Sequence, residues 1–135
     1  MTIPRLQFRH LAILSSMLCF ALAIIWLLAP ATMLANWGVS FDGATGVAGR
    51  RAAPLYAGIS VMLYVARNAS PSPARTALMA GLVTMSLLLA VLGVFEWGVG
   101  HVNAGILSAI LVEVALALAF LLVARAERAE AQRRF

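Results

Sequence analysis

The sequence predicts an all-α protein: an integral membrane four-helix bundle with both termini cytoplasmic. Four charge-poor apolar runs fill almost all of the 135 residues, each close to the roughly 20 residues a helix needs to cross a bilayer. The composition agrees. With 63% hydrophobic and 11% charged residues and a mean hydropathy of +0.96, the chain lies far from the soluble range of about 45–50% apolar and 25% charged. The arginines, finally, sort to one side of the four runs. A soluble fold is excluded, and four spans leave no length for a soluble domain beside them.

The first run is uncharged over residues 11–41 and gives a span at about 11–33, loosened at Pro30 and followed by Trp37-Gly38. Its start also has the layout of a secretory signal: Arg5 and Arg9, an apolar core, then Ala29-Pro30-Ala31. A retained anchor is favoured, because the stretch exceeds the usual signal core of about 7–15 residues and proline is a poor peptidase context. The second span, about 50–67, lies between Arg50-Arg51 and Arg67. Its apolar part, 52–66, rises only about 22 Å against a hydrocarbon core of roughly 30 Å, so its arginine ends must snorkel. Pro54 is tolerated near a helix start. The third span, 76–95, is clean, and the fourth, about 103–124, is interrupted only by Glu113. Residues 125–135 read as a cytoplasmic tail, with Arg and Glu at helical spacing that prolongs the fourth helix (Glu127 with Arg128, Glu130 with Arg134). The whole is one transmembrane domain.

Four crossings put Arg5, Arg9, Arg67, Arg75, Arg125, Arg128, Arg133 and Arg134 on one face, which the positive-inside rule makes cytoplasmic. The expected location is the inner membrane, multi-pass. Trp37 and Trp97 fall at the opposite edge, where interfacial aromatics belong. A pI near 11.1 suggests nucleic acid in a soluble protein, but here the charges flank spans and set orientation, which argues against it. Expected partners are the lipid bilayer and either a second copy of the chain or another membrane-complex subunit.

Glu113 sits about 15–18 Å from either end of the fourth span, at the bilayer midplane. A carboxylate there costs several kcal/mol unless paired or neutralised, so it should face protein. Gly105, Ala109, Glu113 and Ala117 recur every four residues, a small-residue stripe that lets a helix approach closely. Cys19, Ser60, Thr84 and Ser86 reach a similar depth and offer a central polar layer. Tyr56, Ser60 and Tyr64 share one face of the second span, and Arg51 is the nearest cation. The candidate intramembrane polar site is therefore Glu113, Ser60, Tyr56 and Arg51. Three readings stay open: a neutral carboxylic acid bridging helices, a site for a proton, ion or small polar or redox ligand, or an unpaired carboxyl facing lipid.

A second candidate lies in the outer loop, 37–49, whose glycines lead to Arg50 and Arg51. Glycines beside arginines make anion nests, and a helix N-terminus adds positive charge. Anchoring to lipid phosphate, with pairing to Asp42 or Glu96, is the plainer role for the pair. No metal site is expected: Cys19 is the only cysteine, which also forbids an internal disulfide, and His101 has no second ligand nearby. There is no nucleophile elbow, no His-rich pattern and no haem pair. No cofactor is named by these residues.

Arg51, Gly58, the run Leu63-Tyr64-Val65-Ala66-Arg67 and the turn Ser70-Pro71-Ser72-Pro73-Ala74-Arg75 resemble the second span and cytoplasmic turn of DoxX-like small bacterial membrane proteins. The likeness implies a four-helix bundle with an accessory redox role, since some members are linked to quinone-coupled sulfur oxidation or oxidative-stress complexes. No catalytic residue carries over. The function expected is that of a non-catalytic accessory or scaffold subunit of a membrane complex; the alternative is binding or passage of a proton, quinone or anion around Glu113.

Overall fold

The computed structural model describes residues 7–133; Arg5 and Arg134, counted above, lie outside them. The described residues form five α-helices and one 3-10 turn: α1 (Phe8–Leu28), α2 (Pro30–Asn36), α3 (Gly43–Ala66), α4 (Pro73–Gly98), the turn Ala104–Ile106, and α5 (Leu107–Gln132). No strand occurs among them. Three segments are long and apolar enough to cross a membrane: Phe8–Leu28, Pro73–Gly98 and Ala104–Gln132. This is a helical membrane protein.

Local chemistry sets the helix ends. A residue before proline is pushed out of the α region, and Ala29 sits at φ −137°, ending α1 before Pro30 opens the short α2. The first helix thus stops at Leu28, and residues 30–33 belong to a separate element. At α3, the Asp42 carboxylate accepts from the Thr45 backbone N–H at 2.7 Å, while the Asp42 N–H donates to the Thr45 hydroxyl at 2.9 Å. This capping box starts α3 at Gly43, so most of the glycine-rich stretch expected as a loop is helix. Pro54 consequently lies in the interior of α3, where it deprives the Arg50 carbonyl of its i+4 donor. Ser72 caps α4, with Pro73 in its first turn, and Asn103 caps the turn that leads into α5. α5 continues without a break past Arg125 to Gln132.

The helices pack in antiparallel pairs, α1 along α3 and α4 along α5. The four meet in a core of Phe8, Leu11 and Ala12 from α1, Leu63 from α3, Met79 and Leu82 from α4, and Phe120 and Val123 from α5. At the other end Trp26, Leu34 and Ala53 form a second cluster with Trp37, Val39 and Tyr56 around them. Gly49 lets α3 lie against α1 here, because a Cβ would stand 2.8 Å from the Trp26 ring. Outward faces carry Leu14, Phe20, Leu55, Val65, Leu88, Val91, Leu111 and Leu122, all largely exposed. Against lipid, such faces need no cover, and the pairing rests on van der Waals fit and interhelical hydrogen bonds.

Each end of the molecule also has a polar fastening. At one end Arg75 pairs with Glu127, donates to the Ala69 carbonyl at 2.8 Å and stacks 4.0 Å over the Phe8 ring. The start of α1, the α3–α4 turn and the end of α5 are thereby joined at one end. At the opposite end the Asn103 N–H donates to the Trp37 carbonyl at 2.8 Å, and a Cβ on Gly105 would overlap the Asn36 carbonyl oxygen.

Candidate functional site

Of the polar residues expected within the membrane, Cys19 of α1, Ser60 of α3 and Ser86 of α4 are buried, and Tyr56 of α3 and Glu113 of α5 are half-buried. Glu113 is half-buried on the same stripe of α5 as buried Ala117 and Phe120. Tyr56, also half-buried, lies within electrostatic reach of both Glu113 and Cys19, so α1, α3 and α5 contribute to one neighbourhood. Glu113 has no hydrogen bond or ion pair with any described residue. It is the one acidic side chain among them of which that is true within the spans.

Ser60 does something other than approach Glu113. Its hydroxyl donates to the Ser16 carbonyl at 2.9 Å, the Ser16 hydroxyl donates back to the Ser60 carbonyl at 2.9 Å, and the two oxygens lie 3.2 Å apart. Both serines are buried. This reciprocal clasp locks α1 to α3 in one register. The remaining polar-layer residues divide: Ser86 is buried, whereas Thr84 and Tyr64 are exposed. Tyr64 instead carries the Arg67 guanidinium 3.9 Å above its ring.

Arg51 is not part of the Glu113 neighbourhood. It is exposed near the start of α3, and no described residue pairs with it. Arg50 is likewise exposed, and both arginines sit beyond the first turn of a helix, not on a nest of loop N–H groups. The acids expected to pair with them are otherwise engaged. Asp42 serves the α3 cap, where first the Thr45 backbone N–H and then its hydroxyl hold the carboxyl below the usual carboxylate range. Glu96 lies 2.6 Å from His101 Nδ1. No group of three metal-ligating side chains occurs among the described residues.

Two features escaped sequence reasoning. Ser15 is buried with its hydroxyl unpartnered, one turn from Cys19; its position in an apolar run gave only the hint that a serine occurs there. The Arg75–Glu127 pair joins residues far apart in the chain, and Glu127 read as one of several tail charges. No family model matches this chain, and neither a curated protein nor a solved structure matches it.

Proposed function

We propose that the chain is a four-crossing, inner-membrane protein with both termini cytoplasmic, acting as a non-catalytic accessory or scaffold subunit of a membrane complex. The observation that carries this reading is how the polar side chains are used. Ser16, Ser60, Asp42, Thr45, Arg75 and Glu127 all hold helices or helix ends together. The outward face of α3, with Leu55, Val61, Met62 and Val65 exposed, supports a fourth crossing beside α1. The DoxX-like resemblance of the second span points the same way, toward an accessory role. Mild-detergent isolation from its own membrane, with mass spectrometry of what co-purifies, tests it: a stoichiometric membrane-protein partner is expected, and a chain that always isolates alone refutes the subunit role.

One observation favours a second reading, passage or binding of a small species. Glu113 is half-buried, unpartnered and near Tyr56, and ionisable groups at that depth are functional hypotheses by default. Glu113→Gln keeps shape and hydrogen bonding but removes titration. Complex assembly should tolerate this exchange if the residue is structural; loss of a complex's proton- or quinone-linked activity with assembly intact transfers the assignment to the second reading.

A further inference from the structure

Glu113 stands on the inward face of α5, yet the interior is not closed over it. Ile106 and Phe120, about two turns before and after it, project to the same side, and both are buried, as is Ala117 one turn on. Glu113 between them is only half-buried. The helix pairing accounts for the opening. Close approach runs along α1 with α3 and along α4 with α5, while between the two pairs it is sparse and α3 does not run along α4. Leu63, Met79 and Phe120 join the pairs in the core at one end, and the Asn103-to-Trp37 hydrogen bond ties them at the other. Glu113 lies between these closures, with Tyr56 of α3 in electrostatic reach.

No positive charge of the described residues meets it there. The described arginines and histidines group toward the two ends of the helices. Those nearest in level are Arg125, twelve residues or about 18 Å along α5, and Arg51, which is exposed and outside the Glu113 neighbourhood. A carboxylate in hydrocarbon demands a counter-charge or a proton, and a half-open position gives a counter-charge from outside the chain a way in. A second copy brings a second carboxylate and no cation to that depth; acyl chains bring no polar group at all. We propose that the opening receives a transmembrane helix of a partner protein carrying one lysine or arginine near its midpoint, ion-paired with Glu113 and lying against the Tyr56 ring, whose face attracts a cation. This contact rests on the subunit role proposed above and gives the partner its chemistry. Glu113→Gln then releases the partner, unlike the same exchange at a residue that only bridges helices of its own chain.

The test uses the full-length protein in dioleoyl-phosphatidylcholine vesicles, with an energy-transfer donor on its C-terminus and an acceptor on a synthetic leucine–alanine helix of about 22 residues. Three peptides differ only in having lysine at the centre, leucine at the centre, or the lysine moved to one end. The central-lysine peptide is expected to associate about tenfold or more tightly than either other, as the loss on truncating one partner of a buried charge pair implies. Glu113→Gln should bring all three level, and Glu113→Asp should keep the preference. If Glu113→Gln loses its helicity by circular dichroism, the peptide series on the wild-type chain decides alone. Equal association of the three peptides, as when Glu113 is already matched within its own chain, or an undiminished preference in Glu113→Gln overturns the contact. So does energy transfer between labelled copies of the wild type that Glu113→Gln abolishes, which assigns the carboxyl to a second copy. Isolation from the native membrane separates this contact from the subunit role: a stoichiometric partner that stays on the Glu113→Gln variant keeps the role and refutes the contact, and absence of any partner refutes the role whatever the peptides do.

Discussion

Adding a single methyl group at Gly105 should unfasten the two halves of the molecule at one end. The ideal Cβ there would overlap the Asn36 carbonyl oxygen, and would also stand 2.9 Å from the Asn103 side-chain oxygen and 3.0 Å from the Asn36 carbonyl carbon. Backbone, not a flexible side-chain tip, blocks the position. To restore van der Waals separation the α2 end must retreat by on the order of an ångström or more, and the Asn103-to-Trp37 hydrogen bond at 2.8 Å depends on that same approach. Overpacking costs about 1–3 kcal/mol, and a lost hydrogen bond adds about 0.5–1.5 kcal/mol. Gly105→Ala should therefore destabilise by roughly 2–4 kcal/mol on those two costs combined. Gly58 and Gly81 provide the contrast, because nothing lies within 4 Å of a Cβ at either. Alanine there removes the helix penalty of glycine, about 1 kcal/mol, and should raise the melting temperature. The assay is thermal unfolding of the three single variants in one detergent, followed by circular dichroism. If Gly105→Ala melts at or above wild type, or falls in line with Gly58→Ala, the close approach of the two loops is refuted.

Ser16→Ala and Ser60→Ala each remove one interhelical donor and should cost about 0.6 kcal/mol apiece, with non-additivity in the double variant because the hydroxyls also touch. Ser60→Leu should cost more, about 1–3 kcal/mol by overpacking, and wild-type melting of that variant would show that this face of α3 is not packed on α1. The Asp42 cap predicts an acid limb of stability: its folded-state carboxyl lies below the unfolded reference of about 3.9, so the contribution is complete above that reference and is lost as pH falls through the lower folded value. Asp42→Asn should cap α3 yet flatten that limb in a pH series of melting curves, and an unchanged series would remove Asp42 from the account. Reporter fusions at both termini should be active only in the cytoplasm, and a periplasmic C-terminus would defeat the four-crossing topology.

Much of the fold was legible because it is written in one-dimensional signals. Apolar runs locate α1, α4 and α5; Pro30 marks the break after α1; and Ser72-Pro73 marks the start of α4. The start of α3 was missed although its signal was present, for Asp42 and Thr45 stand at capping-box spacing. The glycines between 43 and 49 outweighed it, and the segment read as loop. Site prediction fared differently by residue. Periodicity alone placed Glu113 on the inward stripe with Ala117, since one helix face follows from 3.6-residue spacing. It could not say that Ser60 faces Ser16 on another helix, that Tyr64 turns outward from the face it was thought to share with Tyr56, or that Arg75 reaches Glu127. Those are matters of register between helices, to which a single helix's spacing carries no information.

Register also explains why α3 is the least conspicuous of the long helices yet runs beside the first throughout. Gly49 lies against Trp26 and Ser60 against Ser16, so eleven steps of α3, about 16 Å, match ten steps of α1, about 15 Å. The two helices are level. If α1 crosses the bilayer, α3 accompanies it through the same depth, and its low apolarity reflects only that residues 43–51 lie at the edge where Arg50 and Arg51 stand exposed. Tyr56 follows Arg51 by five residues, about 8 Å deeper. An arginine stem can cover part of that distance along the helix surface while its guanidinium stays at the headgroups. The geometry that would carry α3 through the bilayer beside α1 is thus the same geometry that keeps Arg51 from neutralising Glu113, and it leaves Tyr56 as the polar side chain of α3 within that carboxyl's electrostatic reach.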